Sequence, residues 1–231
     1  MFVAQSDQDV QAAQALRAFA FGLDVALDRD AFDATQHQVL VRDLQAGEIV
    51  CCFRTRLFRG AQLDQSYAAQ FYDLTGLSRF DGLMMELGRF CVHPDTHDPD
   101  ILRMAWAALT RFVDAQGIKL MFGCSSFAGG AIDDYADCFT LLRARHLAPA
   151  PWQPGEKVQD PVRFADHAGT QPDVKKAMLR MPPLLRTYLL MGGWVSDHAV
   201  VDRHMHTLHV FTGLEIDAIP KNRKRLLRGL G

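Results

Sequence analysis

Leu83-Met84-Met85-Glu86-Leu87-Gly88-Arg89-Phe90-Cys91-Val92-His93-Pro94 reads as an apolar strand that closes in a turn and runs at once into a helix. Asp98-Pro99 marks the helix start, since aspartate caps the first free N–H groups and proline suits the first turn. Ile101, Leu102, Ala105, Trp106, Leu109 and Phe112 recur at helical spacing, and Gly117 ends the helix. Ile118 to Cys124 is the next strand. Strand, crossover helix and strand predict a parallel pair, because parallel neighbours need such a connection. Glu86 and Arg89 stand out inside the first strand, since burying charge is costly unless it is paired or used. Strict alternation places them on opposite faces. A bulge at Gly88 shifts that parity, brings both to one side and frees a backbone N–H.

Outward from this stretch, Val39–Val41 and Glu48–Phe58 flank an Asp43–Gly47 turn and predict a hairpin. Val10, Ala13, Leu16, Ala20 and Leu23 predict a helix over Asp9–Leu27. Gly60–Arg79 is mixed, with a helix or loop around Ser66–Phe71. Ser125–Gly130 reads as a loop and Asp133–Arg145 as a helix. Residues 149–172 hold five prolines and read as an irregular loop or insertion. Pro183–Met191 is a short apolar helix closed by Gly192-Gly193, and Val200–Ile219 returns to strand character. The simplest assembly is one α/β domain over residues 1–231.

The 231 residues are 48% hydrophobic with a net charge of −2, a soluble globular composition. No apolar run approaches the roughly 18 residues that span a bilayer. The stretch after Met1 is polar and carries no secretory signal, so a cytoplasmic protein is expected. The five cysteines lack CxxC spacing and are expected to be reduced and mostly buried. Residues 221–231 carry Lys221, Arg223, Lys224, Arg225 and Arg228 and no acid. Such a basic tail is either solvated or attracted to an acidic partner or an anionic membrane surface. Nucleic acid is not expected, because the rest of the chain is not basic.

Several segments together resemble the GNAT-type acyltransferase superfamily, and within it the ornithine–acyl carrier protein N-acyltransferases. They are Ala12–Arg17, Phe32-Asp33, Leu40-Val41, Cys52-Phe53-Arg54, Phe71–Leu74, Glu86–Pro94, Phe122–Phe127, Leu184–Gly193 and Asp202. The resemblance implies a mixed, largely antiparallel sheet with a parallel central pair, flanked by helices. It implies transfer of a 3-hydroxyacyl group from acyl carrier protein to the α-amine of ornithine, the first step of ornithine lipid synthesis. It also implies no bound cofactor and no metal. Gln36-His37-Gln38 departs from the family pattern, which usually has Cys and His shortly after Phe-Asp, and the segment after Asp197 is rich in histidine. The same motifs fit synthases of related lipids that carry glutamine or glycine in place of ornithine. An acyl-homoserine-lactone synthase and a non-catalytic carrier-protein or membrane-binding module are the other readings.

In this superfamily the acceptor amine attacks a thioester directly, so a base must handle its proton. Glu86, flanked by Met84, Met85 and Leu87, is the candidate, because a poorly solvated carboxyl has its pKa raised towards a useful range. Arg89 joins it as the second catalytic candidate, and the freed backbone N–H faces the oxyanion. The connection His93–Asp100 has no glycine, two prolines and three aspartates, a poor cradle for the pyrophosphate of coenzyme A. An acyl carrier protein presents only a phosphodiester, so it is the expected donor. Arg54 is expected to hold the acceptor carboxylate. Ser125, Ser126, Phe127 and Asp202 complete the substrate-binding set. Asp202, His204 and His206 would share a face on a strand and, with His209, resemble a metal set, but a metal-free reading is preferred. Cys124 lacks an obvious base, so direct transfer is preferred over an acyl-enzyme. The apolar groups of Met178–Met191, beside Lys175, Lys176, Arg180 and Arg186, form either core or a cap that rests on the inner membrane.

Overall fold

The computed structural model describes residues 1–96, 98–167, 169 and 171–228. In chain order the elements are β1 (Phe2–Val3), α1 (Asp7–Ala20), β2 (His37–Arg42), β3 (Ile49–Phe58), β4 (Tyr72–Asp73), β5 (Leu83–Val92), α2 (Pro99–Gln116) and β6 (Ile118–Ala128). There follow α3 (Ala136–Arg145), β7 (Gly155–Glu156), β8 (Val162–Arg163), α4 (Phe164–His167), α5 (Val174–Arg180), α6 (Pro183–Leu190), β9 (Trp194–Asp202), β10 (Thr207–Glu215) and α7 (Lys221–Arg228). The fold is mixed α/β, and its paired strands run mostly antiparallel. Two compact units make up the chain.

The first unit comprises Met1–Leu57, Met85–Ile118 and Lys221–Gly231. Its strands are ordered β1-β2-β3-β5. β2 and β3 form the expected hairpin, with Leu40 opposite Cys52. Ala13 and Leu16 of α1 pack on Leu40, Cys52 and Cys91, all buried. α1 is shorter than the apolar spacing predicts. Gly22 takes φ +63 and the Leu23 N–H reaches back to the Ala18 carbonyl at 2.9 Å, a left-handed cap that ends the helix and releases residues 23–30 as a loop. The strand–helix–strand order of β5, α2 and β6 is as predicted. Asp98 caps α2 by accepting the Asp100 N–H at 2.8 Å, and Gly117 ends it at φ +64. The basic tail is helical over Lys221–Arg228 and lies against α2, while residues 229–231 fall outside the described residues.

The second unit comprises Phe58–Met84 and Lys119–Pro220. Its main strands are ordered β6-β10-β9-β8, with β4 and β7 paired separately. The strand character of Val200–Ile219 is that of a hairpin, which begins earlier, at Trp194. β9 and β10 pair antiparallel around a turn at residues 203–206, and His206 there has φ 50. The proline-rich segment supplies β7, β8 and α4 rather than one irregular loop; Ala168 and Thr170 within it lie outside the described residues. Two cores flank this sheet, one around Phe127, Phe139, Phe164 and Leu185, the other around Tyr72, Phe122, Trp194 and Phe211. Ala177, Met181, Leu185, Tyr188 and Met191 are buried, so most of the apolar stretch before Gly192 is core, while Leu179 and Leu190 face outward.

Gly213 lies opposite Trp194 in the β9–β10 ladder, and a Cβ there would overlap the indole, 2.7 Å from Cε2. Trp194 is itself buried against Phe211 and has nowhere to retreat. Gly213→Ala is expected to destabilise the protein by about 1–3 kcal/mol through overpacking. Thermal unfolding of the variant checks this, and an unchanged midpoint contradicts the packing described.

Candidate active site

Glu86 lies in β5 and is only 2% exposed, although it ionises in water. Gln36 Nε2, from just before β2, donates to Glu86 Oε2 at 2.9 Å. The backbone irregularity next to Gly88 is at Arg89. Arg89 takes φ 53, in the left-handed region that side chains rarely occupy, while Gly88 is not among the positive-φ glycines. A left-handed residue inside a strand interrupts the extended backbone, and non-glycine occupancy there must be held by outside contacts.

Those contacts are ionic. Arg89 Nε donates to Asp28 Oδ2 at 3.0 Å and Nη2 to Asp30 Oδ2 at 3.2 Å. Asp28 Oδ2 also accepts from Arg17 Nε at 2.9 Å, and the Arg17 Nη2 donates to the Asp28 carbonyl. Arg17 Nη1 bonds Gln38 Oε1 at 2.8 Å, and Nη2 bonds Asp33 Oδ1 at 3.0 Å. Arg54 Nη1 bonds Asp30 at 2.6 Å and Asp33 at 3.1 Å. Three arginines thus face three aspartates. Asp30 also caps the short turn Ala31–Ala34, accepting the Phe32 N–H at 2.9 Å. The cluster ties the loop after α1 to β3 and β5, and so carries Gln36 to Glu86.

Burial pushes the Asp30 carboxyl up, but the hydrogen bond and charge of Arg54 and the charge of Arg89 outweigh it and hold Asp30 below the usual range. Burial likewise pushes Asp33 up, and the charges of Arg17 and Arg54 bring it below the usual value. Both carboxyls therefore bind protons less readily folded than unfolded. Their contribution to stability is complete above the unfolded value of about 4 and is lost as the pH falls through the lower folded values. The urea midpoint is expected to fall as the pH is lowered below about 4. Asp30→Asn should fall less over the same range; an equal fall in both proteins contradicts this assignment.

The remaining candidates differ from their expected settings. Arg54 is buried and already bonded to two carboxylates, so it organises the cluster rather than standing open for an acceptor carboxylate. Ser125, Ser126 and Phe127 are not in a loop. β6 continues to Ala128, with Ser125 opposite Val210, Ser126 opposite His209 and Phe127 opposite Leu208. Thr212 donates to the buried Ser125 Oγ at 2.9 Å, and Phe127 is core, edge-on to Phe139. Only Ser126 of the three faces outward. Asp202 ends β9, and its Oδ1 accepts the His204 and Met205 N–H groups at 3.0 Å, holding the hairpin turn. His204 and His206 lie in that turn and not on a strand face, and His209 pairs with Tyr72. Among the described residues no group of three His, Cys, Asp or Glu side chains could hold a metal ion. The cysteines are free; four are buried and Cys124 is half-buried.

Arg17, Asp28, Asp30, Asp33 and Gln36 carried no role in the sequence reading. Arg17 had a signal: at the spacing of Val10, Ala13 and Ala20 it falls on the apolar stripe of α1, where a charge needs a partner.

Residues 18–107 match the family model of the acetyltransferase (GNAT) domain. The L-ornithine Nα-acyltransferase of Rhodobacter capsulatus is 30% identical, covering 96% of this chain and 92% of that protein. The enzyme of the same name from Brucella abortus is 29% identical, covering 94% of this chain and 84% of that protein. Among solved structures, FeeM, an N-acyl amino acid synthase from uncultured soil microbes, is 10% identical with a TM-score of 0.52, covering 94% of each chain. At that identity the likeness is one of fold. No described helix is long and apolar enough to cross a membrane.

Proposed function

The chain belongs to the family of L-ornithine Nα-acyltransferases, and on that premise we propose that it moves a 3-hydroxyacyl group from the phosphopantetheine of an acyl carrier protein to the α-amine of L-ornithine, with Glu86 as general base. The observation that carries the role of Glu86 is its setting. Its side chain is withdrawn from bulk water and accepts a hydrogen bond from Gln36, in the same strand as Arg89, which is tied to Asp28 and Asp30. The acceptor reacts as the neutral amine. As its nitrogen bonds to the thioester carbon it becomes cationic, and Glu86 takes one of its protons. The C–S bond breaks, and the sulfur leaves as the thiol carrying that proton. Amine and thioester become amide and thiol, and Glu86 is restored.

Arg89 and Arg54 act through this arrangement as positioning residues. The bonds from Arg89 to Asp28 and Asp30 keep β5 in its left-handed step, and the backbone there is the proposed source of the N–H that steadies the oxyanion. The start of α2 supports carrier protein over coenzyme A as donor. Asp98 already occupies an N–H there, and its charge with that of Asp100 repels a pyrophosphate. Lys221, Arg223 and Arg225 of α7 are assigned to attraction of the acidic carrier protein or of the inner membrane, where the lipid product partitions. Direct transfer needs no resident cofactor.

The test offers the purified protein one 3-hydroxyacyl group on carrier protein or on coenzyme A, with ornithine, lysine, glutamine or glycine, and reads products by mass spectrometry. Nα-acylornithine formed from the carrier-protein donor is expected. No N-acylated amino acid from any pairing overturns the reading.

A further inference from the structure

Gln36 is 6% exposed, and only half of its amide is accounted for. Its Nε2 donates to Glu86, whereas its Oε1 is buried and has no hydrogen-bond partner. Turning the amide over does not help while Glu86 is ionised, as a base must be, because it would set the carbonyl oxygen against a carboxylate, two acceptors with no hydrogen between them. Nor can the side chain easily move away. The Gln36 N–H is bonded to the Phe32 carbonyl at 2.9 Å, and Gln38, two residues on, bonds Arg17 and Asp33. A buried acceptor held in place without a donor is uncommon and asks for a partner that arrives from outside.

The geometry points to the acceptor amine as that partner: Gln36 Oε1 receives one N–H of the incoming α-amine while Glu86 receives the other. The inference rests on the reading of Glu86 as the base. A neutral primary amine has two N–H groups and one lone pair. Two acceptors joined by a 2.9 Å hydrogen bond can hold both N–H groups on one side and leave the lone pair directed at the thioester carbon. The N–H on Glu86 is the proton transferred when the C–N bond forms; the N–H on Gln36 stays on the amide product. Gln36 thus selects a primary amine. A hydroxyl or a secondary amine brings one donor and leaves either Gln36 or Glu86 unanswered.

The test compares kcat/KM for ornithine and for Nα-methylornithine, with carrier-protein donor held fixed. The unaltered enzyme is expected to prefer ornithine, and Gln36→Leu is expected to lose about 10-fold of that preference, about the worth of one hydrogen bond to a buried neutral group. Gln36→Glu keeps an oxygen where Oε1 stood, and the two carboxyls can share one proton. It should retain the preference and move the pH optimum downward. This second variant also serves if the leucine protein fails to fold. An oxygen satisfied only by an ordered water, or a glutamine that merely supports Glu86, lowers both substrates equally in Gln36→Leu; that unchanged ratio overturns the inference while leaving the base assignment standing. Equal use of both substrates by the unaltered enzyme also overturns it. If the unaltered enzyme acylates no amine, the functional reading itself has failed.

Discussion

Glu86→Gln is expected to lower turnover with ornithine by about 10²–10⁴-fold, the usual contribution of a positioned base, without moving the unfolding transition appreciably. The substitution keeps the shape of the side chain and an oxygen that can still accept from Gln36 Nε2. It removes only the ability to take a proton. Bulk water has little access to stand in for it, since Glu86 is 2% exposed. Steady-state kinetics alongside thermal unfolding separate the two effects. Turnover that survives intact in a folded Glu86→Gln protein removes Glu86 from the chemistry. A non-catalytic binding module would be indifferent to the change.

Arg17→Met should be the most damaging single change in the first unit, costing about 3–5 kcal/mol. Arg17 is fully buried, and its guanidinium serves Asp28, Asp33, Gln38 and a backbone carbonyl at once. Methionine replaces the volume but leaves the buried Asp28 and the half-buried Asp30 and Asp33 facing two arginines. Taking one ion from a desolvated set exposes the others to their full desolvation penalty, which is why breaking such a set costs more than the set contributes. The solvent-exposed pair Arg103–Asp100, with side chains 61% and 57% exposed, is the contrast. Its loss should cost less than about 1 kcal/mol. Urea unfolding measures both. Adding Asp28→Asn to Arg17→Met should restore part of the loss, a coupling that a double-mutant cycle reads directly. A loss below about 1 kcal/mol for Arg17→Met would mean that the cluster is not the buried anchor described.

The elements that the sequence makes plain are those with a local period or a punctuating residue. The β2–β3 hairpin, β5 and the capped helix α2 follow from apolar runs around the Asp43–Gly47 turn, from Asp98-Pro99 and from Gly117. Glu86 was legible because a carboxylate among Met84, Met85 and Leu87 violates its surroundings. The arginine–aspartate cluster was not, because Asp28, Asp30 and Asp33 sit in a loop without periodicity, and their partners come from α1, β3 and β5. Ser125–Phe127 misled for a different reason. Serines and the following Gly129-Gly130 resemble a loop locally, but nine residue pairs with β10 override that preference. The step in β5 was expected at the one residue that adopts it freely. The positive φ is at the adjacent Arg89, whose side-chain bonds offset the cost of its backbone, and no single-residue preference reveals such a trade.

The charge-balanced cluster also constrains how this sequence can change over time. Positions 17, 28, 30, 33, 54 and 89 each hold a formal charge answered by a neighbour. A lone exchange at any of them strands an ion without its counterpart. Drift here must proceed by matched replacements, an arginine and its aspartate leaving together, so descendants of this chain should either keep all six or lose them in pairs.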